Sequence, residues 1–291
     1  MLGLLAGRLG VPTPEGCLVG IAQWNRAVIT VRGVDGVAAV QTRGVPDGAV
    51  MLPPRELIPA PLRARLAGCT RVAVMASGPY FGAAQVLPPT MAWAYRSSNK
   101  PAARSRLVGN ELVVTDVSPP DELALPRLRT FHGAPSAIVL DRSHATPSAT
   151  LDQMKAAGLI VIVAHGVTDA REPDAASLIL SPERSGEYLL TASKVSKTHL
   201  DNAPIVVLAG CDAGRVQVSA EPWSLATSFI AAGARAVIAP TEQIPDDDAS
   251  KAFESLVARI RSGADPVDAL QAERQERGPK AAWLSTTIVF E

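Results

Sequence analysis

Two apolar runs constrain this chain more than any other feature: LIVIVA, from Leu159 to Ala164, and IVVLA, from Ile205 to Ala209. Neither alternates with polar residues, and both consist largely of β-branched residues and leucine. That is the pattern of strands buried on both faces in a parallel sheet covered by helices. Each run ends in residues that carry chemistry, the first in His165–Gly166 and the second in Gly210–Cys211. Open parallel sheets place their ligands at the carboxyl ends of the strands. The two ends can therefore share one crevice, although 46 residues separate His165 from Cys211. A thiol beside an imidazole is a nucleophile beside its base.

The residues alone leave two readings open. Free cysteine is among the most buried residue types and commonly serves as a small hydrophobe, so the pair can be structural. Against this, each residue ends a buried run and touches a glycine. The His also precedes the Cys by about the 50-residue spacing known between base and nucleophile in one group of cysteine enzymes.

Composition narrows the partners. Lys plus Arg and Asp plus Glu both number 28, so no net basic field argues for nucleic acid or an anionic membrane surface. Aromatics are only 4% of the chain, too few for the stacking platforms of single-strand binders. A protein or peptide partner fits better. Cys17, Cys69 and Cys211 are scattered and odd in number, which reads as neither a disulfide framework nor a zinc cluster. The expected setting is the reducing cytoplasm, with no cofactor and no metal. The amino end, MLGLLAGRLG, lacks a basic n-region, and no run approaches the 18 apolar residues of a membrane span.

Along the chain, CLVGIAQW, AVITVRGV and GVAAVQTRGV read as a small β-meander, and PRELIPAPLRARLAG as a short helix closed by Gly68. From Cys69 onward the pattern is strand, helix, strand, with apolar pieces TRVAVMA, ELVVTDV, SAIVLD, LIVIVA, IVVLA, RAVIAP and STTIVF. This predicts an α/β fold with a mainly parallel sheet of six or seven strands covered by helices on both faces. Residues 1–68 form the β-rich preamble and 69–291 the core. Thr146–Pro147 opens a helix that Gly158 is expected to stop, and Asp246 to Asp248 open another with apolar residues at helical spacing. Pro79 to Gly109 reads as the longest loop region.

The order ATPSATLDQM, GLIVIVAHG, SLILSPE, LLTASKV, APIVVLAGCDAG, SLATSFIAAGARAVIAP and DDDASKAFESLVARIRSGADPVDAL resembles the CHAT domain, a caspase-like group of clan CD cysteine peptidases related to separase. Similarity is clearest from about Glu111 to the end. In that family the His of the His–Gly motif and the strand-end Cys form the catalytic dyad, which implies His165 and Cys211 here. Around the Cys the chain departs from the common Ser-Ala-Cys pattern, reading Ala209-Gly210-Cys211-Asp212-Ala213-Gly214, and Thr241–Glu242 stand where relatives carry a Trp.

The resemblance implies an endopeptidase. Cys211 would attack a peptide carbonyl to form a thioester, and His165 would protonate the leaving amine and then activate water. The backbone amides of Gly166 and Cys211 are the oxyanion-hole candidates. Asp169, Asp212 and the run Asp246, Asp247, Asp248 are candidates for an acidic pocket that holds a basic P1 side chain. Acids at a helix start are also favoured by the helix dipole, which offers a plainer reading of that run. A regulatory partner or a fused sensor or repeat region is the expected control. The alternatives are a catalytically silent scaffold that acts through protein contacts and, disfavoured by the order of His before Cys, a thiol acyl-transfer or hydrolase enzyme on a different α/β fold.

Overall fold

The computed structural model describes residues 16–97, 107–168, 176–216 and 223–291. Asp169, Arg171 and the first fifteen residues lie outside that set. In chain order the elements begin with β1 (Cys17–Gln23), β2 (Arg26–Arg32), β3 (Ala38–Gly44), α1 (Pro54–Leu57), α2 (Ala60–Ala64), β4 (Val72–Ala76) and β5 (Trp93–Tyr95). They continue with β6 (Asn110–Val117), β7 (Ile138–Arg142), α3 (Pro147–Met154), β8 (Ala157–Val163), β9 (His165–Thr168), β10 (Ala176–Ile179), β11 (Leu189–Thr191) and α4 (Ala192–Ser196). The last are β12 (Ile205–Ala209), α5 (Leu225–Ala231), β13 (Ala236–Pro240), α6 (Asp246–Arg261), α7 (Pro266–Arg277) and β14 (Thr287–Phe290).

The expected α/β architecture is present, as a mixed and mostly parallel sheet. Its strand order is β3-β2-β1-β4-β5-β14-β13-β12-β8-β6-β7, eleven strands rather than six or seven. All seven apolar pieces of the core are in it. The increase comes from two sources. The meander β1–β3 does not stand apart from the sheet: β1 pairs in parallel with β4, from Cys17 opposite Val72 to Ile21 opposite Ala76. The span expected to be loop also contains β5, whose Trp93, Ala94 and Tyr95 are buried but too few to show a periodicity.

Alternation along the central strands explains the helices on both faces. Ile160, Ile162, Val206, Leu208 and Val237 join one core with Met154 of α3, Val195 of α4 and Phe229 of α5. Leu159, Val161, Val207, Ala236 and Ile238 face the other way and join Phe253, Leu256 and Val257 of α6 and Leu270 of α7. Val206 in the first layer and Val161 in the second are both fully buried. Each such side chain contributes about 1.5–3 kcal/mol. A polar residue at either position would break one layer.

Local signals set the helix starts. The Thr146 hydroxyl accepts from the Ala149 amide ahead of Pro147, Ser224 and Thr227 form a capping box on α5, and Asp265 caps α7. Two expectations are corrected. Gly158 lies inside β8, and α3 has already ended at Met154. Cys17 and Cys69, taken as unpaired, form a disulfide with Cα atoms 6.1 Å apart. The parallel pairing of β1 with β4 brings them together across 52 residues of sequence, a proximity that no local pattern displays.

Candidate active site

The parallel block runs β7-β6-β8-β12-β13. The chain leaving β6 turns to β7 on one side, whereas the chain leaving β8 goes to β12 on the other. The order therefore reverses between β6 and β8, and the crevice outside such a reversal is where open α/β sheets bind ligands. His165 follows β8 directly at this point, and Cys211 follows β12.

Register brings the two together. β8 and β12 pair in parallel up to Val163 opposite Ala209, so the next residues on each strand keep His165 and Cys211 abreast. At Ala164 the chain leaves the large sheet and enters a small one, β11-β10-β9, in which His165 pairs with Ile179 and Gly166 with Leu178. The backbones of the two corners touch. A Cβ at Gly166 would lie 1.8 Å from the Cys211 carbonyl oxygen, and one at Gly210 would lie 2.6 Å from that of Ala164. Glycine is needed at both positions because backbone stands where a side chain would begin.

The side chains have further partners that sequence reasoning missed. His165 Nε2 is 2.7 Å from the Pro126 carbonyl oxygen, in the segment after β6. A carbonyl can only accept, so Nε2 carries a proton, and in the neutral ring the lone pair then lies on Nδ1. The Cys211 sulfur is 3.5 Å from the Ile244 amide, which donates to it, and 3.9 Å from the Ile244 carbonyl, in the segment after β13. Among the described residues no hydrogen bond joins imidazole to thiol, and the Cys211 backbone N–H has no acceptor. No local signal marks Pro126 or Ile244, which lie 39 and 33 residues from the side chains they hold.

The acidic candidates fall in different places. Asp212 has φ 56°, its amide donates to the Glu242 carbonyl at 3.2 Å, and its carboxylate pairs with Arg215 at 3.5 Å. Arg215 thus neutralises it. Asp246 lines a small cleft beside Ile244, floored by Leu128, Phe131, Val163 and Ala209. Asp247 is exposed. Asp248 is turned toward the end of the chain, accepting from the Trp283 indole at 2.9 Å and from Arg277 at 3.4 Å. His132, His144 and His199 are exposed. Among the described residues no cluster of three or more potential ligands could hold a metal, and no helix is long and apolar enough to cross a membrane.

Solved structures of other proteins have a similar fold. Two structures of the Saccharomyces cerevisiae separase–securin complex superpose with TM-scores of 0.52 and 0.50, at 13% and 12% identity, over 76% and 79% of this chain. The chain spans only 15% and 16% of those separase chains. The Arg-specific cysteine proteinase gingipain R gives a TM-score of 0.49 at 11% identity, over 81% of this chain and 69% of its own. No curated protein matches. The CHAT domain family profile matches residues 88–283, about two thirds of the sequence and the part that holds the β6–β8–β12 crevice, so this chain belongs to the CHAT domain family.

Proposed function

We propose that this chain is a cysteine endopeptidase in which Cys211 is the nucleophile and His165 its base. The observation that carries the reading is the β8–β12 register, which sets the two corners abreast at the point where strand order reverses. The Pro126 carbonyl supports it further: by accepting from Nε2 it leaves Nδ1 of the neutral ring to take a proton.

In the proposed cycle the thiol proton moves to Nδ1, and the sulfur attacks the peptide carbonyl carbon to give a tetrahedral oxyanion. The amides of Gly166 and Cys211 would donate to that oxygen. Collapse breaks the C–N bond as the imidazolium protonates the leaving amine. Water then adds to the thioester, with its proton going to His165, and releases the acid and the free thiol. Asp246, which lines the cleft beside Ile244 together with Arg129 and Glu254, is the candidate acid for a basic P1 residue.

The contact of the Cys211 sulfur with Ile244 supports an added element of control. In the resting chain the thiol is engaged with the segment after β13 instead of with His165. A partner protein, proximity or cleavage would shift that segment and release the thiol. The separase neighbour is itself in a complex with a protein, securin. The same contact is what favours the second reading, a silent scaffold that acts through protein contacts.

A peptide-directed thiol probe with the wild-type chain, Cys211→Ala and His165→Ala separates the two. Labelling that requires both side chains supports the peptidase. Labelling of wild type and His165→Ala at the same rate, with no cleavage of any peptide library, supports the scaffold.

A further inference from the structure

A second cavity, of about 420 Å³, opens at the carboxyl ends of β6 and β7. Its wall includes Pro120, Asp121, Leu125, Arg127 and Arg142. Leu125 and Arg127 flank Pro126, whose carbonyl holds His165, so this cavity adjoins the dyad on the side away from the β13 segment.

The chain is built to put guanidinium groups there. Asp116 and Arg142 both take positive φ, 47° and 46°, where the β6–β7 register shifts. The Asp116 carboxylate is buried and accepts from Arg127 Nε at 2.7 Å, Arg127 Nη2 at 2.9 Å and Arg142 Nε at 3.3 Å. One buried carboxylate thus anchors two arginines whose side chains are 67% and 70% exposed. Arg142 uses only Nε for that anchor. Among the described residues its two Nη groups have no partner, and they form a fork that matches a carboxylate.

We propose that this cavity is a subsite for an acidic side chain, Asp or Glu, on the leaving-group half of a polypeptide substrate. This rests on the peptidase reading. The group that protonates the leaving amine must stand on the leaving-group side, so if His165 does so, that half of the substrate runs from Cys211 past His165 toward β6 and β7. β12, β8, β6 and β7 are consecutive neighbours. From Cys211 to the gap between β6 and β7 is about two and a half strand spacings, or ~12 Å, which an extended chain covers in about three to four residues. The acidic residue therefore falls three or four positions after the scissile bond, and the apolar walls at Pro120 and Leu125 pack its methylenes. Asp121 at the rim opposes it.

The test is a positional peptide library cut by the wild-type chain, with the new amino termini labelled and sequenced. Asp and Glu should be enriched about tenfold over Asn and Gln at the third or fourth residue after the cut. That ratio should fall toward one in Arg142→Gln, survive in part in Arg142→Lys, and rise in Asp121→Asn. Arg142→Gln leaves the Asp116–Arg127 pair in place; should it fail to fold, Arg142→Lys and Asp121→Asn decide. Cleavage without acidic enrichment, or enrichment indifferent to all three variants, overturns the subsite and leaves the peptidase reading standing. If the resting chain cuts nothing, the subsite is decided by the library retained on immobilised Cys211→Ala. Acid enrichment there that disappears when Arg142→Gln is added supports the subsite, and retention without acid enrichment overturns it.

Discussion

Replacing Gly166 by Ala is the sharpest test of the site, because its consequences follow from three distances. The new Cβ would meet the Cys211 carbonyl oxygen at 1.8 Å, the carbonyl carbon at 2.9 Å and the amide nitrogen at 3.3 Å. Ordinary carbon–oxygen contact begins near 3.2 Å, so β9 and the Cys211 corner must separate by about 1.4 Å, and neither backbone has a side-chain rotation with which to yield. Forced overpacking of this kind costs about 1–3 kcal/mol. For 291 residues the unfolding entropy is about 0.6 kcal/mol/K, so the melting temperature should fall by about 2–5 °C. Function should suffer more. A displacement of about 1 Å between reacting groups can cost about 100-fold in rate, so Gly166→Ala should react with a peptide-directed thiol probe about 100-fold more slowly while the fold persists. Gly44→Ala is the control, since nothing lies within 4 Å of a Cβ there. It should change stability by less than about 0.5 kcal/mol. Calorimetry and probe kinetics on both variants decide the matter. A Gly166→Ala chain with wild-type melting and wild-type labelling would show that β9 and the Cys211 corner are not in contact, and the close approach of His165 to Cys211 would fall with it.

Three further outcomes are expected. Without reductant, iodoacetamide should label Cys211 alone; Cys17→Ser with Cys69→Ser should cost up to about 4 kcal/mol in urea unfolding by the loop-closure relation for a separation of 52 residues, and labelling of all three cysteines in the untreated chain would refute the pairing. Hydrogen bonds from Arg127 are the main reason the Asp116 carboxyl is held below the usual carboxylate range, despite its burial. Its contribution is present above the unfolded value of about 4 and is lost as pH falls through the folded one, so Asp116→Asn should flatten the acid limb of stability measured by denaturant melts below about pH 4. Asp246→Asn should lower any preference for Arg or Lys over Gln at P1 by about two- to fivefold, a small effect because this carboxylate is exposed; a library cut after Asp, or after apolar residues with no gain from a basic one, would reject the acidic pocket.

The sequence by itself determined what depends on neighbours along the chain. LIVIVA and IVVLA are buried strands because nothing polar interrupts them, and β8 and β12 occupy nearly those residues. Thr146, Ser224 and Asp265 cap their helices because a side-chain oxygen there reaches an amide two or three residues on. The His–Gly and Gly–Cys pairs that follow those strands mark their ends as a site for the same reason, since each interrupts an apolar run with polar chemistry and a glycine.

What tertiary structure alone decided is who meets whom. Pro126 holding His165, Ile244 touching the Cys211 sulfur, Arg215 neutralising Asp212, and Trp283 and Arg277 taking Asp248 away from the crevice leave no periodic trace in the sequence. The same holds for β1 beside β4, the Cys17–Cys69 bond that follows from it, and the two arginines gathered on Asp116. A strand's apolar pattern fixes which residues are buried, but its partner and register emerge only when every strand competes for a place in one sheet. The chemistry at the strand ends is set by that competition.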